Sequence, residues 1–251
     1  MARYEFATHR LHVEAPLATG LSVPLLPEAF NYLAHVLRMP EGGRLLAFNG
    51  RDGEFRAVFR FTGRKSGEIV IEDQSLPQTL PGRIHLAFAP LKAARLDYMT
   101  QKAVEMGAAS LTPVLTRRTQ VRGLKPERLR ANAIEAAEQC GVLALPEIAA
   151  ETALEAWLDC LPGRDSLIFC DEDAPLSDPV GALRQASTAE AIHVLIGPEG
   201  GFDDSERKAL ISRPNAIRLA LGPRILRADT AAVAALAIVQ AALGDWRGSP
   251  R

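Results

Sequence analysis

The chain has 251 residues, of which 47% are hydrophobic and 24% charged, with a formal net charge of −1. That composition belongs to an ordinary folded protein, and it excludes both a disordered chain and one that coats polyanions through bulk positive charge. The length allows two domains or one large one.

The charge is unevenly distributed. Residues 1–82 carry nine Lys/Arg and nine Asp/Glu, residues 83–130 carry ten against three, and residues 131–251 carry ten against eighteen. The middle belt comprises Arg83, Lys92, Arg95, Lys102, Arg117, Arg118, Arg122, Lys125, Arg128 and Arg130. Such a belt suits a local polyanion site. It suits equally well a solvated face compensated in space by the acidic last third.

Cys140, Cys160 and Cys170 show no CxxC spacing, so neither a disulfide framework nor a zinc site is indicated, and a reducing cytosol is the expected compartment. The first twenty residues hold Arg3, Glu5, Arg10 and Glu14 and lack the apolar core of a signal peptide. The longest apolar run, Ala231 to Val239, falls far short of the roughly 20 residues a membrane span needs.

In chain order, Pro27 opens a helix expected to run through Met39, where Pro40 stops it. Arg44–Phe48, Glu54–Phe61 and Glu68–Ile71 read as strands, punctuated by Asn49-Gly50, Asp52-Gly53 and Ser66-Gly67. A small antiparallel barrel with one helix, over 1–74, is the economical reading. Residues 75–82 are polar, carry two prolines and read as a linker.

Beyond the linker, strands and helices alternate. Strands are expected at 84–89, 111–115, 167–170, 192–196 and 216–221. Helices are expected at 93–106, 127–140, 203–211 and 225–243. Alternation of this kind implies an α/β domain over 83–251 on a mostly parallel sheet, whose ligands sit beyond the carboxyl ends of the strands.

Two loops follow such strands. Ile196-Gly-Pro-Glu-Gly-Gly-Phe202 leads into Asp203-Asp204-Ser205-Glu206. Its glycines let backbone approach a ligand closely; a tight strand-to-helix turn with Asp203 as N-cap explains the same residues. No Gly-Lys-Ser/Thr follows, so it is not a Walker loop. The second loop is Leu219-Ala-Leu-Gly-Pro-Arg-Ile-Leu-Arg-Ala-Asp-Thr-Ala231. Asp229 near a helix start is accounted for by the helix dipole, whereas the cation Arg227 at that end is mildly unfavourable, which points to a functional role.

The pair GPEGGF and LGPRILRADTA resembles the SPOUT superfamily of knotted methyltransferases, and in particular is similar to the bacterial enzymes that methylate N3 of a uridine in small-subunit ribosomal RNA. His35-Val-Leu-Arg-Met39, Lys102-Ala-Val-Glu-Met-Gly107 and Glu138-Gln-Cys-Gly141 agree, in the right order over nearly the whole chain. The resemblance implies an N-terminal PUA-like barrel that grips RNA and a C-terminal α/β domain with a trefoil knot, a rare exception to unknotted topology. It implies a bound S-adenosylmethionine, no metal, and a homodimer. It places Gly197, Pro198, Glu199 and Gly200 on one side of the cofactor, with Leu219, Leu221, Gly222, Ile225 and Leu226 on the other.

Arg227, Asp229 and Glu199 become the catalytic candidates, and Arg38, Lys92, Arg95, Lys102, Arg117, Arg118 and Arg122 the RNA-binding ones. In two places the chain departs from the family pattern: Val142 stands where an Arg is common, and Asp229 where Glu is common. Histidines 9, 12, 35, 85 and 193 show no metal spacing. The rival readings are a ribose 2′-O methyltransferase of the same superfamily and a non-catalytic RNA-binding protein of the same fold.

Overall fold

The computed structural model describes residues 8–174 and 178–247, so the first seven residues, with Arg3 and Glu5, lie outside the described residues. Two compact units are present; Ala137–Ala144 belong with the first, which otherwise extends to Leu80, and Pro81–Ala136 with the chain from Leu145 onward make the second.

In the first unit, β1 (Arg10–His12), β2 (Ser22–Pro24), β3 (Arg44–Phe48), β4 (Glu54–Gly63) and β5 (Ser66–Leu76) form a sheet in the order β1-β3-β4-β5-β2. The β3, β4, β5 and β2 pairings are antiparallel, and β1 adds a parallel strand against β3. Alternation along β4 and β5 turns Phe55, Ala57, Phe59, Ile69 and Ile71 inward onto Phe30 and Leu33, closing a separate core. β5 runs on through Ser75 and Leu76, two residues into the segment read as a linker, and Ser75 Oγ donates to Glu54.

The helix expected over 27–39 is shorter. α1 (Pro27–Asn31) passes into a wider π turn at 32–36, and Arg38 adopts φ of +50°. The reason lies in Met39, whose position before Pro40 disfavours helical backbone.

The second unit contains β6 (Ile84–Phe88), α2 (Ala93–Glu105), β7 (Ser110–Leu115), α3 (Pro126–Cys140), β8 (Glu147–Ile148), β9 (Thr152–Ala153), α4 (Leu154–Cys160), β10 (Ser166–Cys170), α5 (Pro179–Leu183), β11 (Ile192–Ile196), α6 (Asp204–Ile211), β12 (Ala216–Leu219) and α7 (Ala228–Leu243). Only the last turn of α3 falls in the first unit. The sheet order is β12-β10-β11-β6-β7-β8, with β9 beside β7, and every pairing is parallel.

Near-continuous apolar strands such as Ser-Leu-Ile-Phe-Cys and Ile-His-Val-Leu-Ile are what a sheet covered on both faces requires. Ile84, Leu86, Phe88, Ile168, Val194 and Ile196 meet α2 and α7 on one face. Ala87, Leu167, Phe169 and Leu195 meet Leu154, Trp157 and Leu158 of α4 on the other. The alanine-rich face of α7 is consumed here: Ala231, Ala232, Ala235, Leu236 and Val239 are buried in the unit's own core. No helix of the described residues is long and apolar enough to cross a membrane.

Two of the sequence motifs are helix ends. After α2, the Gly107 N–H donates to the Val104 carbonyl and the Ala108 N–H to that of Ala103, a Schellman closure. After α3, the Val142 N–H donates to the Ala137 carbonyl, and Glu138 Oε1 accepts from the His12 N–H at 2.8 Å. Val142, the departure from the family pattern, therefore takes part through its backbone.

At the amino ends of β6 and β11, His85 and His193 sit in register with stacked rings 5.0 Å apart. His85 Nδ1 meets Ser110 Oγ at 2.8 Å, and His193 Nε2 meets Asp165 Oδ2 at 3.1 Å. Burial, then the neighbouring His193, pushes the His85 pKa down. The unfolded chain therefore takes up a proton at a pH where the folded chain does not. As pH falls below the ordinary His value of about 6.5, stability is lost. Thermal melts between pH 7.5 and 5 should show this slope, and His85→Gln should flatten it; an unchanged slope in the variant would assign it to other groups.

Candidate functional site

Because all the strands are parallel, the loops after β6, β7, β10, β11 and β12 emerge on one edge of the sheet. At the carboxyl ends of β10, β11 and β12 these loops enclose a cavity of about 400 Å³. Its walls are Cys170–Asp173, Ile196–Glu199 with Gly201 and Phe202, Arg207, the run 219–226, Ala228 and Ala231. That volume lies within the range of small-molecule sites, roughly 300–1,000 Å³.

The two glycine-bearing turns shape it by different means. A Cβ on Gly197 would stand 2.9 Å from the Phe202 ring, so glycine allows the ring to fold back on the strand end. Gly222 has φ of +95°, a conformation that admits the sharp turn from β12 toward α7 and that side-chain-bearing residues resist. β12 stops at Leu219 and α7 begins only at Ala228, not at Ile225 as the pattern suggested. Pro223 interrupts backbone pairing, and Arg227 is an extended N-cap at φ −67°, ψ 151°.

Of the residues singled out from sequence, Gly197, Pro198, Glu199, Leu219, Leu221, Gly222, Ile225 and Leu226 all line the cavity. Gly200, Arg227 and Asp229 do not, although Leu226 and Ala228 on either side of Arg227 do. Gly200 instead turns outward, where its carbonyl accepts from Arg118 Nη1 at 2.6 Å. Arg227 lies at the N-cap rather than inside the first turn of α7, is exposed, and makes no side-chain capping bond. Asp229 Oδ1 accepts from the Thr230 N–H at 3.1 Å, a local bond of the first helical turn.

The basic belt reaches the same edge. Arg95, near the start of α2, pairs with Glu199. Arg117 Nη1 lies 3.1 Å from Asp203 Oδ2. Lys92 is the exposed N-cap of α2, and Arg122 is exposed beyond β7. Lys102 pairs with Glu105 and lies 5.7 Å from the Tyr98 ring centre. Arg38 belongs to the first unit and is exposed.

Sequence patterns did not single out the polar wall of the cavity. Asp171, buried, accepts from Arg218 Nε at 2.7 Å, from Arg207 Nη2 at 3.1 Å and from the Asp173 N–H at 3.1 Å. Burial pushes the Asp171 carboxyl up, but the two guanidinium groups and the backbone donor outweigh it and hold the carboxyl below the ordinary range. The signal available was an acidic run, Asp171-Glu172-Asp173, directly after an apolar strand; its partners lie 36 and 47 residues away. Burial, then Asp171, pushes the Cys170 thiol up to about 12, so it stays protonated and is no nucleophile at neutral pH. Among the described residues no group of His, Cys, Asp and Glu is placed to hold a metal ion.

Comparison with known proteins bears on this geometry. The RNA methyltransferase domain family matches residues 78–240, and the RNA methyltransferase PUA domain family matches residues 25–72. Ribosomal RNA small subunit methyltransferase E of Synechocystis is 31% identical over 94% of this chain and 78% of its own length. The protein of the same name from Rickettsia conorii is 29% identical over 92% of this chain and 95% of its own. The crystal structure of a ribosomal RNA small subunit methyltransferase E from Neisseria gonorrhoeae bound to S-adenosyl methionine superposes with a TM-score of 0.83 at 27% identity, over 95% of this chain and 99% of that one. With an all-parallel α/β unit, a small β unit before it and a cavity formed by two glycine turns at the strand ends, this chain belongs to the RNA methyltransferase family that includes the ribosomal RNA small subunit methyltransferase E proteins.

Proposed function

We propose that this chain transfers the methyl group of S-adenosylmethionine to N3 of a uridine in small-subunit ribosomal RNA. The observation that carries the reading is one cavity walled by both glycine-bearing turns, with arginines of the basic belt standing on the outer side of the first turn. The relatives' shared name and the S-adenosyl methionine bound to the Neisseria gonorrhoeae protein support the donor and the RNA class.

The residues present suit that donor. Backbone of 197–199 and 219–222 offers polar atoms to an adenosine moiety, Leu221, Ile225 and Leu226 offer apolar surface, and the acidic Glu172 and Asp173 complement a positively charged ligand. When bound, S-adenosylmethionine supplies a methyl carbon already activated by its sulfonium, so no metal enters the scheme. The chain's task is alignment, which can be worth roughly 7–11 kcal/mol of barrier, together with management of one proton. The chain's part in the transfer would be to take the N3 proton onto a carboxylate as the uracil nitrogen accepts the methyl group. Glu199 is better placed for this than Asp229, because it lines the cavity. Arg227, beside the cavity in the chain, is assigned the role of stabilising the negative charge that would be delocalised onto the uracil carbonyl oxygens. A paired base is out of reach, so the uridine is unpaired or extruded.

In this reading residues 1–74 form the PUA-like RNA-gripping domain, 75–82 a linker and 83–251 the catalytic domain. Arg38, Lys92, Lys102 and Arg122 join Arg95, Arg117 and Arg118 along the RNA path. The last strand and the last helix are buried in a trefoil knot, two copies form a homodimer, and the enzyme works in the cytosol. The resemblance supports the knot and the dimer; 91% exposure of Ile225 at the cavity rim adds to the case for a partner there.

Two measurements test the proposal. Titration with S-adenosylmethionine should show saturable heat at one site per chain. Mass mapping of small-subunit RNA from cells with and without the gene should differ by one methyl group at one uridine base. Absence of binding heat leaves a non-catalytic RNA-binding protein; a methyl mapped to a ribose leaves the 2′-O activity.

A further inference from the structure

We propose that Glu206 is a positioning residue that locks the basic loop 116–120 to the glycine loop 197–203, so that filling the cavity is felt at the arginines that meet RNA. This rests on the reading of the cavity as the methyl-donor site.

Glu206 lies in the first turn of α6 and is 3% exposed. Its Oε2 accepts from the Asp203 N–H at 3.0 Å, and Asp203 Oδ1 accepts from the Glu206 N–H at 2.7 Å, which completes a capping box. Glutamine serves a capping box as well as glutamate does, and the box leaves the second oxygen unused. Here the second oxygen, Oε1, accepts from the Arg117 N–H at 2.7 Å, across 89 residues of sequence. Two N–H donors on two separate oxygens call for a carboxylate, since an amide side chain has one acceptor oxygen and its NH2 would confront a donor.

Two further contacts join the same loops: Arg117 to Asp203 and Arg118 to the Gly200 carbonyl. Gly201 and Phe202, between these tie points, line the cavity, while Arg117 and Arg118 do not. Movement of the glycine loop onto a ligand therefore draws the basic loop with it.

Hydrogen exchange on the full chain, with and without saturating S-adenosylmethionine, tests this. In the wild type, exchange should slow by about fivefold or more in both 197–203 and 116–120; in Glu206→Gln the slowing should persist in 197–203 and fall to about twofold or less in 116–120, where only the two arginine contacts remain. At a temperature where both proteins are folded, Glu206→Gln should raise KM for small-subunit RNA by about tenfold and lower kcat by less, whereas a purely structural role would lower the melting temperature and leave both KM and kcat unchanged there. Slowing confined to 197–203 in the wild type overturns the proposal, and this holds even if the variant fails to fold. No slowing in 197–203 removes the donor reading itself.

Discussion

Arg227→Ala is expected to lower single-turnover methyl transfer by about 10²–10³-fold, the usual cost of deleting one group that stabilises developing charge, with melting temperature and donor affinity near wild type. Stability should be spared because the side chain contributes little to the fold. Arg227 occupies the N-cap of α7 with extended backbone and makes no side-chain capping bond. A cation there opposes the helix dipole by a few tenths of a kcal/mol. Removing it relieves that conflict, and alanine caps no worse. The same position explains the expected kinetic loss. Leu226 and Ala228, its neighbours on either side in the chain, line the cavity, which puts Arg227 beside the proposed donor site although it is not itself part of the wall. Methyl incorporation measured beside a thermal melt checks both halves. Near-normal turnover by a folded Arg227→Ala protein would remove this arginine from the mechanism.

Asp171→Ala should act in the opposite sense, on stability and donor binding together. Its carboxylate holds the loop after β10 to Arg207 of α6 and Arg218 of β12. Deleting one member of a buried ion pair costs about 3–5 kcal/mol. The arginine side chains are 30% and 29% exposed, so about 2–3 kcal/mol is the expectation once solvent takes up part of their charge. For a unit of this size that corresponds to a fall in Tm of roughly 4–12 °C. Donor affinity should fall as well, since Asp171 and Arg207 form one wall of the cavity.

The pH dependence identifies the cause. The Asp171 carboxyl is held below its ordinary range in the folded chain. Its contribution is therefore complete above the ordinary Asp value of about 3.9 and is lost as pH falls through the lower folded value. The gap in stability between wild type and Asp171→Ala should be constant from pH 8 to 5 and should narrow below about pH 4. A gap that persists unchanged into acid would assign the effect to lost packing.

The bridges that complete the site show where local pattern stops. Asp203 as the N-cap of α6 was legible because a capping box is written within four residues. The second bond of Glu206 was not, because its donor is a backbone N–H on another loop. Arg95 and Arg118 could be assigned to a basic belt by counting charge, but their engagement with Glu199 and Gly200 depends on β6, β7 and β11 lying near one another in the sheet. Gly200 looked equivalent to its neighbours in GPEGGF, yet the turn directs it away from the cavity toward Arg118. In the same way the buried partnership of His85 and His193 arises from parallel register alone.

Sequence by itself determined the α/β alternation, the parallel sheet and the two glycine-bearing turns after strands, because apolar period, glycine and proline act within a few residues of themselves. It also carried the family likeness, since the motifs stand in order along the chain. Tertiary structure decided which carboxylates are clasped, which arginines are engaged and where α7 begins. Those outcomes depend on strand order and on hydrogen bonds that span tens of residues, and no local pattern encodes such distances.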